Sequence, residues 1–122
     1  GADRLDFPVI TGLDRKDMLD SPEQVQARLL RALRLMQMLR NRDVFTLEDV
    51  SEFYIHPQDG LTLFTIEGGV PIRMGNDGYD FKLKRLERVY ADLKPRLTAL
   101  KYIDLNVIDR VIVKVDVKRT IG

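Results

Sequence analysis

The side chains with chemical reach are few, and their spacing says more about turns than about catalysis. His56 is the one histidine in 122 residues and cysteine is absent, so neither a thiolate nor a second imidazole can complete a zinc-type ligand set around it. It precedes Pro57 at the end of an alternating run, a position suited to shaping a turn. Glu48, Asp49 and Glu52 form an acidic cluster. Paired carboxyls doing acid and base work must face one another across a pocket, whereas these three lie on or just before one strand-like run. A solvated strand margin is the plainer reading, against a small hydrolase with Glu52 in a cleft. Glu67-Gly68-Gly69 and Gly75-Asn76-Asp77-Gly78 carry glycine, but neither has the spacing of a phosphate loop or a dinucleotide fingerprint. The sequence reads as a non-enzyme that needs no cofactor and no metal.

Lys82, Lys84, Arg85, Arg88, Lys94, Arg96 and Lys101 make a basic run, which raises a nucleic-acid-binding α+β domain as the alternative function. Glu87 and Asp92 interrupt the run, and no strand interleaves the aromatic residues that stack bases. Charged residues are 32% of the chain yet cancel to +1, so no global field draws in nucleic acid or an anionic membrane.

The remaining chemistry is that of the backbone. In Lys101–Val117, KYIDLNVIDRVIVKVDV, Val111, Val113, Val115 and Val117 alternate with Ile112, Lys114, Asp116 and Lys118. Ile103, Leu105 and Val107 alternate in the same way before Ile108-Asp109-Arg110. Period two with one apolar face predicts two strands around a turn. A β-branched strand near a chain terminus has no later segment to cover its outer side, so its N–H and C=O groups can template another strand. Lys114, Asp116 and Lys118 are the charged residues expected of such an edge.

Elements upstream must build the sheet that ends there. The length and a 44% hydrophobic fraction suit a single domain over residues 1–122. No run of about 18 apolar residues and no charged-then-apolar leader occurs in it. Gly1-Ala2 reads as the remnant of a removed tag, so the natural chain is expected to start upstream. Phe7-Pro8-Val9-Ile10 predicts a leading strand or extended arm, closed by Thr11-Gly12. Ser21-Pro22-Glu23-Gln24 predicts a helix start, with Ser21 as N-cap, Pro22 in the first turn and Gln24 completing a capping box. Val25, Leu29, Leu33 and Met36, with Leu30 and Leu39 alongside, set its apolar stripe, and the helix should end near Asn41-Arg42-Asp43. Ser51–His56, Leu61–Ile66 and Val70–Met74 read as three strands. Pro71 places the third at an edge or marks its first residue. A second helix should follow Asn76-Asp77-Gly78 with Asp80 as N-cap. Its stripe of Leu83, Leu86, Tyr90, Leu93, Leu97 and Leu100 is interrupted at Pro95, where the helix kinks or restarts. The fold class is α+β, a mostly antiparallel sheet with two main helices and an open edge at the C-terminal strand.

Phe7-Pro8-Val9-Ile10-Thr11-Gly12, Val70-Pro71-Ile72-Arg73-Met74-Gly75, Tyr102-Ile103-Asp104-Leu105 and Asp109-Arg110-Val111-Ile112-Val113 resemble, in order and spacing, the periplasmic β domain of the FtsQ/DivIB family of bacterial cell-division proteins. The resemblance runs from about Phe7 to Val117. It implies a non-catalytic divisome scaffold on the periplasmic side of the inner membrane, with a membrane-anchoring helix and a POTRA domain upstream of this sequence. It further implies partners: a strand of FtsB, itself bound to FtsL, added to the last strand of the domain. Carried over by position, the partner-binding residues are Arg110, Val111, Ile112, Val113, Lys114, Val115 and Val117, with Asn106 and Val107 at the approach, where the family commonly has an arginine and an aromatic.

Overall fold

In the computed structural model, which describes residues 8–107 and 110–116, a three-residue strand β1 (Val9–Thr11) opens the fold. Short helix α1 (Arg15–Asp20) follows, its Asp14 N-cap carboxylate accepting from Lys16 N at 2.9 Å. Helix α2 (Pro22–Arg40) follows directly. Three strands come next, β2 (Val50–His56), β3 (Gly60–Thr65) and β4 (Pro71–Gly75). Helix α3 (Tyr79–Leu93) runs into a 3-10 segment, Lys94–Ala99, and then into β5 (Leu100–Asp104). The last described strand is β6 (Ile112–Val115).

These strands form one six-stranded sheet in sequence order, β1 to β6. The three tight connections give antiparallel pairs, β2 with β3, β3 with β4, and β5 with β6. The two helical crossovers give parallel pairs, β1 with β2 and β4 with β5, as strand-helix-strand connections must. The α+β class with a mostly antiparallel sheet and two main helices is what the patterning predicts.

The core lies on one face of the sheet. Inward residues Phe53, Ile55, Leu63, Ile72, Met74 and Ile103 join helix residues in one buried cluster. A register shift between Val50 and Glu52 lets Val50 turn inward with Phe53, out of simple alternation. The α3 stripe is buried throughout, from Leu83 to Leu93, on through Leu97 in the 3-10 segment and Leu100 at the head of β5. Pro95 falls where α-helix gives way to the 3-10 turns, because its missing N–H is tolerated in a new first turn.

Four expectations need correction. Of the two readings of Pro71, the edge is wrong and the strand start is right: it is the first residue of β4, which lies between β3 and β5. A ring without an N–H is tolerated at this first position, and the strand end is held one residue earlier, where Val70 N donates to Thr65 Oγ1 at 2.9 Å and Val70 O accepts from Thr65 N at 3.0 Å. The N-cap of α3 is Gly78 at φ 65°, not Asp80; Asp80 sits in the first turn, where its charge suits the helix dipole. Ser21 occupies the N-cap of α2 without a side-chain cap bond and without a capping box, because it also ends α1, donating its own N–H to Asp17 O. On α2 the buried stripe is Val25, Ala32, Leu35 and Leu39, while Leu30 and Leu33 are 46% and 45% exposed.

Candidate partner-binding edge

β6 is held to the sheet on one side by β5, with Leu100 opposite Val115, Tyr102 opposite Lys114, Ile103 opposite Val113 and Asp104 opposite Ile112. It is last in the strand order, so no described strand pairs with its other side. Just past the strand, Asp116 N donates to Ala99 O at 2.8 Å. Since successive residues of a strand direct their polar groups to alternate sides, Lys114 and Ile112 turn theirs toward β5 as Asp116 does. Those of Val113 and Val115 point to the open side. Val111 and Val113 pack against the core, whereas Val115 is 43% exposed and Lys114 is exposed. The side chains thus root the strand from within while its outer backbone stays accessible.

The approach to this strand is built differently. Arg110 N donates to Val107 O at 3.5 Å, closing the turn between β5 and β6. Val107 is 40% exposed. Asn106 is exposed as well, but its amide is engaged: its Oδ1 accepts from Lys82 Nζ at 3.1 Å and its backbone N–H donates to Asp104 Oδ1 at 2.9 Å. Arg85 donates to Leu105 O at 2.8 Å and to Val107 O at 2.9 Å. Gly75, at φ 73°, leaves the space this packing uses, since a β-carbon there would overlap Asn106 Oδ1 and lie 3.1 Å from Lys82 Nζ. An open polar cleft of about 880 Å³ lined by His56, Asp59, Arg73, Asn76 and Asp104 adjoins Asn106 on one side. A groove of about 670 Å³ lined by Phe81, Lys84, Arg85 and Arg88 adjoins it on the other. Val117, also among the residues carried over, lies outside the described residues, as do Ile108 and Asp109.

Lys82 and Arg85 are the contributors to this end of the molecule that the sequence reading assigned elsewhere, to the basic run. Their spacing of three puts them on one helix face, but nothing in the pattern says that the face meets the end of β5. Lys82 is only 9% exposed, and desolvation by burial pushes its pKa down. Lys84 pairs with Asp80 at 3.1 Å. The nucleic-acid alternative therefore has fewer outward cations than the sequence suggests.

The other chemistry-bearing residues serve the fold. His56 Nδ1 accepts from Gln58 N at 3.1 Å and Asp59 N at 3.0 Å, shaping the β2–β3 turn. Asp49 completes a capping box with Thr46 on the 3-10 turn Leu47–Asp49, and Glu52 accepts from the Thr11 hydroxyl. Among the described residues, no group of three or more His, Cys, Asp or Glu side chains is placed to hold a metal ion. No described helix is long and apolar enough to cross a membrane.

Residues 2–106 match the family described as cell division protein FtsQ/DivIB, C-terminal. The matched stretch ends before β6. Three curated relatives named "Cell division protein FtsQ" extend further in coverage. The one from Syntrophotalea carbinolica is 49% identical over 114 residues, covering 93% of this chain and 40% of the relative. That from Geobacter sp. strain M21 is 46% identical over 112 residues, 92% and 41% respectively. That from Geotalea daltonii is 41% identical over 112 residues, again 92% and 41%. The chain thus spans about two-fifths of the length of these relatives. A helix-backed sheet whose every predicted strand is present, matched over most of its length in this way, belongs to the FtsQ/DivIB family of cell division proteins.

Proposed function

We propose that this domain is a non-catalytic scaffold of the division machinery and that its task is to accept a partner strand on the open side of β6. In this reading it stands on the periplasmic side of the inner membrane, behind an upstream anchoring helix and a POTRA domain. The guest is a strand of FtsB, itself bound to FtsL. The observation that carries the reading is the position of β6, last in the sheet order with the polar groups of Val113 and Val115 turned outward. Strand addition draws affinity from main-chain hydrogen bonds and specificity from side-chain pockets. Arg110, Val111, Ile112, Lys114 and Val117 flank those two donors along the acceptor, with Val107 exposed at its approach.

Val113→Pro tests this directly, since it removes one outward N–H while Val113 contributes no N–H to β5. Each net hydrogen bond contributes about 0.5 to 1.5 kcal/mol, and the ring also obstructs an approaching strand. A synthetic peptide carrying the FtsB strand should bind the folded variant at least about tenfold more weakly by calorimetry, a loss of roughly 1.4 kcal/mol or more. Unchanged affinity in a variant with native circular dichroism would show that the strand does not add here.

A further inference from the structure

Four side-chain hydrogen bonds from one turn of α3 converge on the ends of β4 and β5. Lys82 Nζ donates to Met74 O at 2.7 Å and to Asn106 Oδ1 at 3.1 Å, and Arg85 donates to Leu105 O and Val107 O. The β5-side acceptors are three consecutive residues. Leu105 is fully buried and its own N–H bonds Arg73 O at 3.1 Å, so this stretch is tied to β4 as well as to α3. Lys82 spans the junction, with its third neighbour Asp77 at 3.8 Å on the solvent side. Among the described residues Arg85 Nε is buried without an acceptor, and the guanidinium bonds two carbonyls, Leu105 O and Val107 O.

We propose that Lys82 and Arg85 are a clamp that positions the β6 edge, and that Asn106, whose amide oxygen accepts from Lys82, is a positioning residue of this clamp. The inference rests on β6 being the acceptor strand. Among the described residues β6 pairs on one side only, and it follows residues 105–107 in the chain. Edge elements with few tertiary bonds open locally at low free energy. Fixing the three residues before the turn restricts the positions from which β6 can pair, so the free domain presents a single register. A guest strand then adds to an ordered template and does not bear the cost of ordering it.

The test compares Lys82→Met, Arg85→Gln, Asn106→Ala and Asn106→Asp with the parent domain and with Lys84→Gln as an exposed control. Amide hydrogen exchange is measured on residues 110–116 and on β2–β3, together with the affinity of the synthetic FtsB strand peptide. Lys82→Met, Arg85→Gln and Asn106→Ala should speed β6 exchange by about tenfold with β2–β3 unchanged, the signature of local opening, and weaken peptide binding. Asn106→Asp keeps an acceptor facing Lys82 and should retain protection, as should Lys84→Gln. Unaltered β6 exchange in the folded variants overturns the clamp, and equal acceleration in β2–β3 overturns a positioning role in favour of a general structural one. Should Lys82→Met fail to fold, Arg85→Gln and Asn106→Ala decide the same question. Faster β6 exchange with unchanged affinity overturns the link to binding. A parent domain that does not bind the peptide overturns the acceptor reading, while the exchange data still decide the clamp.

Discussion

Tyr79 and Tyr90 show how one side chain reports its surroundings. Burial pushes both phenols from 10.0 up to about 12, and Tyr79 donates its hydroxyl proton to Gly75 O at 2.8 Å. The folded value lies above the unfolded one, so the neutral phenols stabilise the fold in full below pH 10 and lose that contribution as pH rises through about 12. Absorbance titration of tyrosinate should therefore contain a component with a midpoint of about 12 that disappears in Tyr79→Phe/Tyr90→Phe. Its absence in the parent domain would contradict the burial described. Asn106 shows the limit of residue-by-residue transfer. Its place in the chain marks the approach to a binding strand, but its amide oxygen is turned to Lys82. The identity of that partner depends on a lysine 24 positions earlier, which no local pattern announces.

At the scale of elements, α2 and α3 contrast. On α3 the leucine spacing, the burial and the break at Pro95 agree, because a stripe confined to one face leaves a single way to pack. On α2 leucine and methionine occupy nearly two faces, and the pattern alone includes Val25 and Leu39, which are buried, but takes the flank carrying Leu33 and leaves out Ala32 and Leu35, which are fully buried. α1 takes part in this: it packs on α2 and occupies the residues ahead of Ser21. A stability comparison should separate the two faces. Leu35→Ala is expected to cost about 2 to 5 kcal/mol in urea unfolding, while Leu33→Ala should stay within about 0.5 kcal/mol of the parent. Similar costs at both positions would mean the α2 face is misassigned. The strands were easier to read, since each combines a short alternating run with turn residues, and β2 departs from alternation only at its bulge.

At the scale of the whole molecule, charge and shape point the same way. The net charge is +1, and the basic helix directs Lys82 and Arg85 into the protein. Binding to a single-stranded oligonucleotide at about 50 mM salt, where phosphate contacts are strong, should be undetectable in a gel-shift assay. Tight, salt-sensitive binding would revive the nucleic-acid alternative. By itself the sequence determined the class of the fold, the strands and the two main helices, the α3 stripe and the terminal pair of strands, because these follow from local spacing, turn chemistry and the conformational limits of glycine and proline. The ordered motifs were also enough to place the chain in its family. Only the tertiary structure decided the order of strands, and with it that Pro71 lies inside the sheet and β6 at its end. It alone decided that two cations of α3 close onto residues 105–107. Those facts join residues far apart in the chain, and they are fixed by which faces pack and which carbonyls need donors once packed, a competition that local sequence does not encode.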